Sequence, residues 1–426
     1  MGTKIAVIGG ASTYTPELVD GLARRTDRAP IDELVLLDID PDRLEVVGGL
    51  AQRMLSRAGW SGRLVTTLDR DAALDGADFV LIQLRIGGQA ARLVDETLPP
   101  RFGTIGQETT GAGGFAKALR TVPVVLDIAE ATQQRAARDA WIIDFTNPVG
   151  VVSQALLDRD YRAIGLCNVA ITLQRMVARQ LGVEPDRVEL EHVGLNHLSW
   201  ERAARVDGVD RLPELIDRNG AALADEVGLP LPELQRSGVL PSYYLRYFDR
   251  FDDVLKKQQE GGETRASEVM EIERQLLELY RDPNLDQKPA LLADRGGAFY
   301  SEVAAQLIAS LHDGRGDVQV VDVRNNGALP DVASSDVVEV AARIDREGAH
   351  PLPLSPLAPD QRELVLRVKR YEHLTIEAAM TGDRETARRA LEAHPLVDSR
   401  VDLDALLDAL LEANRRYLPR FFPAIA

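Results

Sequence analysis

Through the first third of the chain, short apolar runs closed by glycine or acidic residues alternate with longer segments at helical spacing. Lys4 to Ile8, Glu33 to Leu37, Arg63 to Thr67, Asp78 to Gln83 and Trp141 to Phe145 read as strands. Thr15-Pro16-Glu17 has the proline and early carboxylate of a helix start, and a second helix is expected from Pro41 to about Ala58. Strands alternating with helices imply a parallel, doubly wound, Rossmann-like sheet. Ligands bind such sheets beyond the carboxyl ends of the strands, where Gly9-Gly10 and Asn147 fall.

The pattern changes near Cys167. His192 to Trp200 and Glu201 to Val206 read as strands, Asp252 to Arg281 as one long charged helical stretch, and Val318 to Arg324 as a strand ending in Asn325-Asn326-Gly327. Residues 360–417 place leucines at helical spacing. The expected organisation is α/β, with a dinucleotide-binding Rossmann domain over residues 1–166. A second α+β domain over 167–426 would hold substrate and metal and end in helices.

Composition narrows the function. The 426 residues suffice for two domains with their own cores, and 45% apolar with 27% charged residues is the balance of a soluble globular chain. No apolar run reaches the roughly 18 residues of a membrane span. The start, Met1-Gly2-Thr3-Lys4, enters a strand at once, so no signal peptide is expected and the cytoplasm is the default compartment. The single cysteine cannot form an internal disulfide. A net charge of −17 argues against nucleic acid as a partner. A small anion would need a local cluster of arginines or backbone N–H groups.

Several segments could carry chemistry. Gly9-Gly10-Ala11-Ser12-Thr13 joins a strand to a helix and permits close approach of a pyrophosphate, with Gly9, Gly10, Ser12 and Thr13 as the contacts. Asp38 ends the next strand, where a carboxylate binds the ribose hydroxyls of NAD and repels the extra phosphate of NADP. The plainer reading is a glycine turn of any α/β protein. Arg85 precedes Gly87-Gly88 and could clamp a phosphate or carboxylate, or it is a solvated surface arginine. Glu108 lies in a glycine-rich loop, Gln107 to Gly114, of the kind that forms lids and substrate contacts. Cys167 and His197 are of the right type for a transition metal, though each alone is ordinary core. Tyr243-Tyr244-Leu245-Arg246-Tyr247 offers a tyrosinate base if nearby positive charge, from a metal or Arg246, lowers its pKa.

Taken together, these segments resemble glycoside hydrolase family four, the NAD- and divalent-metal-dependent glycosidases, in its 6-phospho-β-glucosidase branch. The resemblance rests on Gly9 to Leu18, Arg85-Ile86-Gly87-Gly88, Phe145 to Gly150, Cys167-Asn168-Val169, Gly194-Leu195-Asn196-His197 and Tyr244 to Tyr247. It continues through Arg295 to Ala298 and Val323 to Gly327. Family four departs from two-carboxylate glycoside hydrolysis. The resemblance implies a lactate/malate dehydrogenase-like superfold, NAD, and a divalent metal, Mn²⁺ first among them, held by Cys167 and His197. It implies oxidation at C3, removal of the C2 proton by Tyr244, elimination at C1, water addition and re-reduction. Arg85, Glu108, Asn147, Asn168 and Arg246 would contact a phosphorylated glycoside, and Asn147 the nicotinamide as well. The α-specific branch has an aspartate where this chain has Asn168, and an amide cannot protonate a leaving group, so a β-linkage is expected. Ala170 stands where the family usually has proline, which would loosen the loop presenting Cys167. The resemblance and the leucine faces of the C-terminal helices together imply a homodimer or homotetramer.

Three alternatives stand beside this reading, the first close to it and the other two of a different class. The same mechanism could act on an unphosphorylated glycoside or glycuronide. A 2-hydroxyacid dehydrogenase would use His197 as base and Arg85 with Arg92 as carboxylate clamp, leaving Cys167 and the tyrosines without a role. A dinucleotide sensor would bind NAD without turnover.

Overall fold

The run Ile5–Ile8 is buried on both faces, as a central parallel strand requires. In the computed structural model, which describes residues 2–24, 31–297 and 299–423, it belongs to β1 (Thr3–Ile8). The other strands of the parallel part are β2 (Ile31–Leu37), β3 (Arg63–Thr67), β4 (Phe79–Ile82), β5 (Trp141–Asp144) and β6 (Ala163–Gly165). A hairpin layer follows with β7 (Val188–Leu195), β8 (Leu198–Val206), β9 (Val209–Asp210) and β10 (Leu240–Pro241). The last three are β11 (Asp317–Arg324), β12 (Val337–Asp345) and β13 (Gly348–Pro351).

The main sheet has nine strands in the order β13-β12-β11-β6-β5-β4-β1-β2-β3. From β3 to β6 neighbours run parallel, with helices as crossovers, so this half is the expected doubly wound sheet. From β6 outward the pairing turns antiparallel. The chain after Cys167 therefore returns three strands to the first sheet as well as building a sheet of its own. Sequence reading found only β11 of these three, and nothing local in β11 says which sheet it joins.

Two other expectations shift. The strand drawn from His192 to Trp200 is a hairpin that turns at Asn196-His197, with Leu195 facing Leu198. The stretch Asp252 to Arg281 is two helices, Phe251–Gln259 and Arg265–Tyr280, separated by Gly261 and Gly262 at φ +82° and +134°. Both glycines occupy backbone that other residues rarely adopt. Among the described residues no helix is long and apolar enough to cross a membrane.

Candidate active site

The carboxyl ends of β1, β2, β4 and β5 open onto one cavity of about 2100 Å³, whose far wall comes from the tyrosine segment and the helices after it. Gly9, at φ +91°, closes β1; a Cβ there would stand 2.8 Å from the carbonyl oxygen of Gln83. At Gly10 a Cβ would stand 2.7 Å from Leu36 Cβ, and the N–H groups of Gly9 and Gly10 both donate to Leu37 O, at 3.0 and 2.8 Å. These glycines let β1 turn hard against β2. Gly9 and Ser12 line the cavity, whereas Gly10 packs on Leu36. Thr13 is buried, its hydroxyl receiving Arg295 Nε and its carbonyl the Tyr280 hydroxyl. Asp38 lines the cavity and is fixed by the N–H groups of Ala11 and Ile39, which donate to its two oxygens at 2.9 and 2.8 Å.

Arg85 and Glu108 also meet here, as an ion pair. Glu108 further accepts from Lys117 Nζ at 2.6 Å and lies 3.2 Å from Arg92 Nε. Burial alone would push the Glu108 carboxyl up, but Arg85, Lys117 and Arg92 outweigh it and hold it well below the usual range. Lys117 is almost fully buried; desolvation and the neighbouring Arg85 push its ammonium down to about 7, against the pull of Glu108. Close by, Arg295 and Arg43 face Glu273 at 3.0 and 3.6 Å. On this wall the cations Arg43, Arg85, Arg92, Lys117 and Arg295 outnumber the carboxylates Glu96, Glu108 and Glu273. The acidic chain thus has a locally basic pocket. Sequence reading missed Lys117, because a lysine within a helix looks solvated until its neighbours are known.

Opposite lies the aromatic wall. The short 3₁₀ turn Tyr243–Leu245 is capped by Ser242, whose side chain accepts from Tyr244 N. Tyr244 stacks on the imidazole of His197, centroids 3.9 Å apart and planes 17° from parallel. Its phenol is held well above 10 by burial and then by Tyr243 and Cys167. Arg246 is committed to Tyr247, with Nη2 donating to the hydroxyl at 3.2 Å. Its charge also acts on the neighbouring phenols of Tyr243 and Tyr244.

His197 sits at the hairpin tip with φ +63°, a conformation that costs a non-glycine residue about 1–3 kcal/mol and clusters at functional sites. Burial pushes its pKa down to about 4, so the ring is neutral and able to ligate. Its Nδ1 is buried and has no hydrogen-bond partner among the described residues, and the same is true of Asn147 Oδ1. Cys167 follows β6, buried behind the cavity wall; burial, then Glu339 and Asp322, keep its thiol protonated. Asn168 lines the cavity beside it. Ala170 lies in the first turn of the helix Val169–Leu181, where Thr172 N bonds Asn168 O at 3.0 Å, so the helix itself sets the backbone that proline would otherwise restrict. Among the described residues no three His, Cys, Asp or Glu side chains form a ready metal cage.

A dinucleotide-type sheet opening onto a basic pocket, with a His–Tyr stack opposite, defines a nucleotide-dependent enzyme class. The chain belongs to the family 4 glycosyl hydrolases: the family model matches residues 4–183 and the model of its C-terminal domain residues 192–397. The "Probable 6-phospho-beta-glucosidase" of Bacillus subtilis (strain 168) is 41% identical, over 100% of this chain and 99% of that protein. The solved 6-phospho-beta glucosidase of Thermotoga maritima, with manganese, NAD+ and glucose-6-phosphate, is 34% identical. It covers 97% of this chain and 99% of its own at a TM-score of 0.91. A malate dehydrogenase from Plasmodium falciparum, 15% identical, shares the fold alone, with a TM-score of 0.54 over 89% of this chain and 98% of its own.

Proposed function

We propose that the protein hydrolyses 6-phospho-β-glucosides with NAD and a divalent cation, Mn²⁺ first among candidates. The observation that carries this reading is the juxtaposition, around one cavity, of Asp38 beside the glycine turn, a cation-rich wall, and the His197–Tyr244 stack, with His197 Nδ1 unpaired among the described residues. The relatives named above support the substrate and cofactor classes. The residues fit both groups: the His197 imidazole, with its Nδ1 without a partner among the described residues, and Cys167 as a thiolate are nitrogen and sulfur donors of the kind transition metals bind, and Asp38 suits unphosphorylated ribose.

A nicotinamide bound beside Asp38 would supply reversible hydride acceptance, and a cation held by Cys167 and His197 would supply Lewis-acid activation of the sugar. Tyr244 takes the C2 proton, its phenol ionising only when positive charge faces it. The Oδ1 of Asn147, without a partner among the described residues, accepts a substrate hydroxyl or the carboxamide N–H₂. Asn168 places an amide rather than an acid near the leaving group, in keeping with a β-linkage. Arg85, Arg92 and Lys117 neutralise the phosphate, with Glu108 holding them in place, and Arg246 closes the outer rim. In this reading residues 1–166 bind the dinucleotide and also reach the substrate through Arg85, Arg92, Glu108, Lys117 and Asn147, while 167–426 supply Cys167, Asn168, His197, Tyr244 and Arg246, in a cytoplasmic homodimer or homotetramer.

The test is release of p-nitrophenol from its β-D-glucoside 6-phosphate, with and without NAD⁺ and Mn²⁺, beside the unphosphorylated glucoside. Turnover that requires both additions and the phosphate is expected. Cleavage of the unphosphorylated compound alone would reassign the sugar, and turnover without added or bound metal would remove the role of Cys167 and His197.

A further inference from the structure

The two proposed metal donors stand on different sheets. Cys167 follows β6 of the main sheet, and His197 tips the β7–β8 hairpin of the small one. A metal site tolerates only small errors in donor position, so something must register the hairpin tip against the Cys167 loop.

A buried polar chain runs between them. Gly165, two residues before Cys167, faces Asp322 of β11, and Asp322 faces Glu339 of β12. Asn196, the other residue of the hairpin turn, donates its amide to Glu339 Oε2 at 2.8 Å and reaches Asp322 Oδ2 at 3.4 Å. The second oxygen of Glu339 is 2.9 Å from His192 Nε2, a close ionic contact without the direction of an aligned hydrogen bond. His192 Nδ1 in turn bonds Glu201 Oε1 at 2.7 Å, across the β7–β8 ladder. His192, Glu201, Asp322 and Glu339 are at most 1% exposed. Burial would strip the His192 proton, but Glu201 and Glu339 raise its pKa to about 10, so it stands as an imidazolium between two carboxylates.

A hairpin needs no such group for stability, because well-packed apolar residues of similar volume often replace a buried ionic triad without loss. What an apolar cluster lacks is direction. The Asn196 amide has its orientation set by Glu339, and the same backbone step carries His197 in its left-handed conformation.

Resting on the metal-site reading above, we propose that Asn196, anchored by Glu339 and behind it by His192 and Glu201, is a positioning residue for the divalent cation. It sets the His197 imidazole against the Cys167 thiolate. The relay touches neither the sugar nor the dinucleotide and acts through the two donors.

The test is direct titration of the full-length protein with Mn²⁺, followed by the electron-spin resonance of the free ion. Asn196→Ala and Glu339→Gln are each expected to weaken Mn²⁺ roughly 10–100-fold, the usual cost of losing an outer partner of a metal ligand. NAD affinity, measured separately, should hold. The double variant should be no weaker than the worse single, since both changes cut one relay. Mn²⁺ affinity at the wild-type value in Asn196→Ala would overturn the proposal, as would parallel losses for NAD and Mn²⁺, which mark a merely structural cluster. His197→Ala is the control: if it too binds Mn²⁺ as wild type does, the metal site itself is misplaced and the relay falls with it.

Discussion

At the scale of single residues, Tyr244 is the clearest case of a side chain whose chemistry depends on its surroundings. Its ring is locked against His197, and its phenol is pushed far from ionisation by burial and by the groups around it. A buried phenol of this kind acts as a base only opposite a cation, so its activity and the occupancy of the neighbouring site are linked. Tyr244→Phe keeps the stacked ring and removes only the oxygen. The expected outcome is a fall in kcat of roughly 10²–10⁴-fold, the range of one acid–base group, with NAD and Mn²⁺ affinities retained. Steady-state kinetics beside equilibrium titrations check this; a matching loss of Mn²⁺ binding would instead make the residue a support for His197.

At the scale of elements, what could be read in the sequence was whatever depends on neighbours in the chain. The glycine turn after β1, Asp38 at the end of β2 and Asn147 after β5 follow from strand–helix alternation, and the structure puts Gly9, Asp38 and Asn147 on one cavity. The hairpin tip was not legible. Asn196-His197 lacks the usual Asn-Gly or Asp-Gly signal, which the next hairpin does carry at Asp207-Gly208. Its polar chain joins residues 126 and 143 positions apart, which no local pattern records. Gly10 was legible in position but not in cause: it serves backbone packing of β1 on β2 where pyrophosphate contact was expected. In Gly10→Ala the new methyl would stand 2.9 Å from Leu36 Cα, backbone that cannot swing aside. Thermal unfolding should show a loss of about 1–3 kcal/mol, the range for overpacking, with weaker NAD binding because Gly9 and Ala11 shift with it. A variant that loses NAD affinity at full stability would return Gly10 to direct cofactor contact.

At the scale of the whole molecule, the loop that presents Arg85 is tied to the chain's far end. Arg120, on the long helix Gly111–Arg135, donates to Asp95 Oδ1 at 2.9 Å, to Asn414 Oδ1 at 3.1 Å and, through Nε, to Ile86 O at 3.0 Å. One buried guanidinium thus joins the helix Gly88–Thr97, the Arg85 loop and the end of the helix Leu403–Ala413. Removing it strands Asp95, and breaking a buried pair in this way costs about 3–5 kcal/mol. The pH dependence gives this a sign. Burial raises Asp95 to about 6 even with Arg120 and Lys117 pulling it down, against an ordinary 3.8. A carboxyl raised in the folded state favours folding below its unfolded pKa, and that contribution fades as pH climbs through about 6. Without Arg120 the folded pKa moves higher still, so the window in which ionisation opposes folding widens upward. Urea unfolding of Arg120→Met should therefore show a deficit that is small at pH 4 and grows beyond pH 6. Asp95→Asn in the same chain should flatten that dependence and restore much of the stability. A deficit equal at both ends of the range would mean that Arg120 acts through its packing and its bonds to Ile86 and Asn414, with the ion pair adding little.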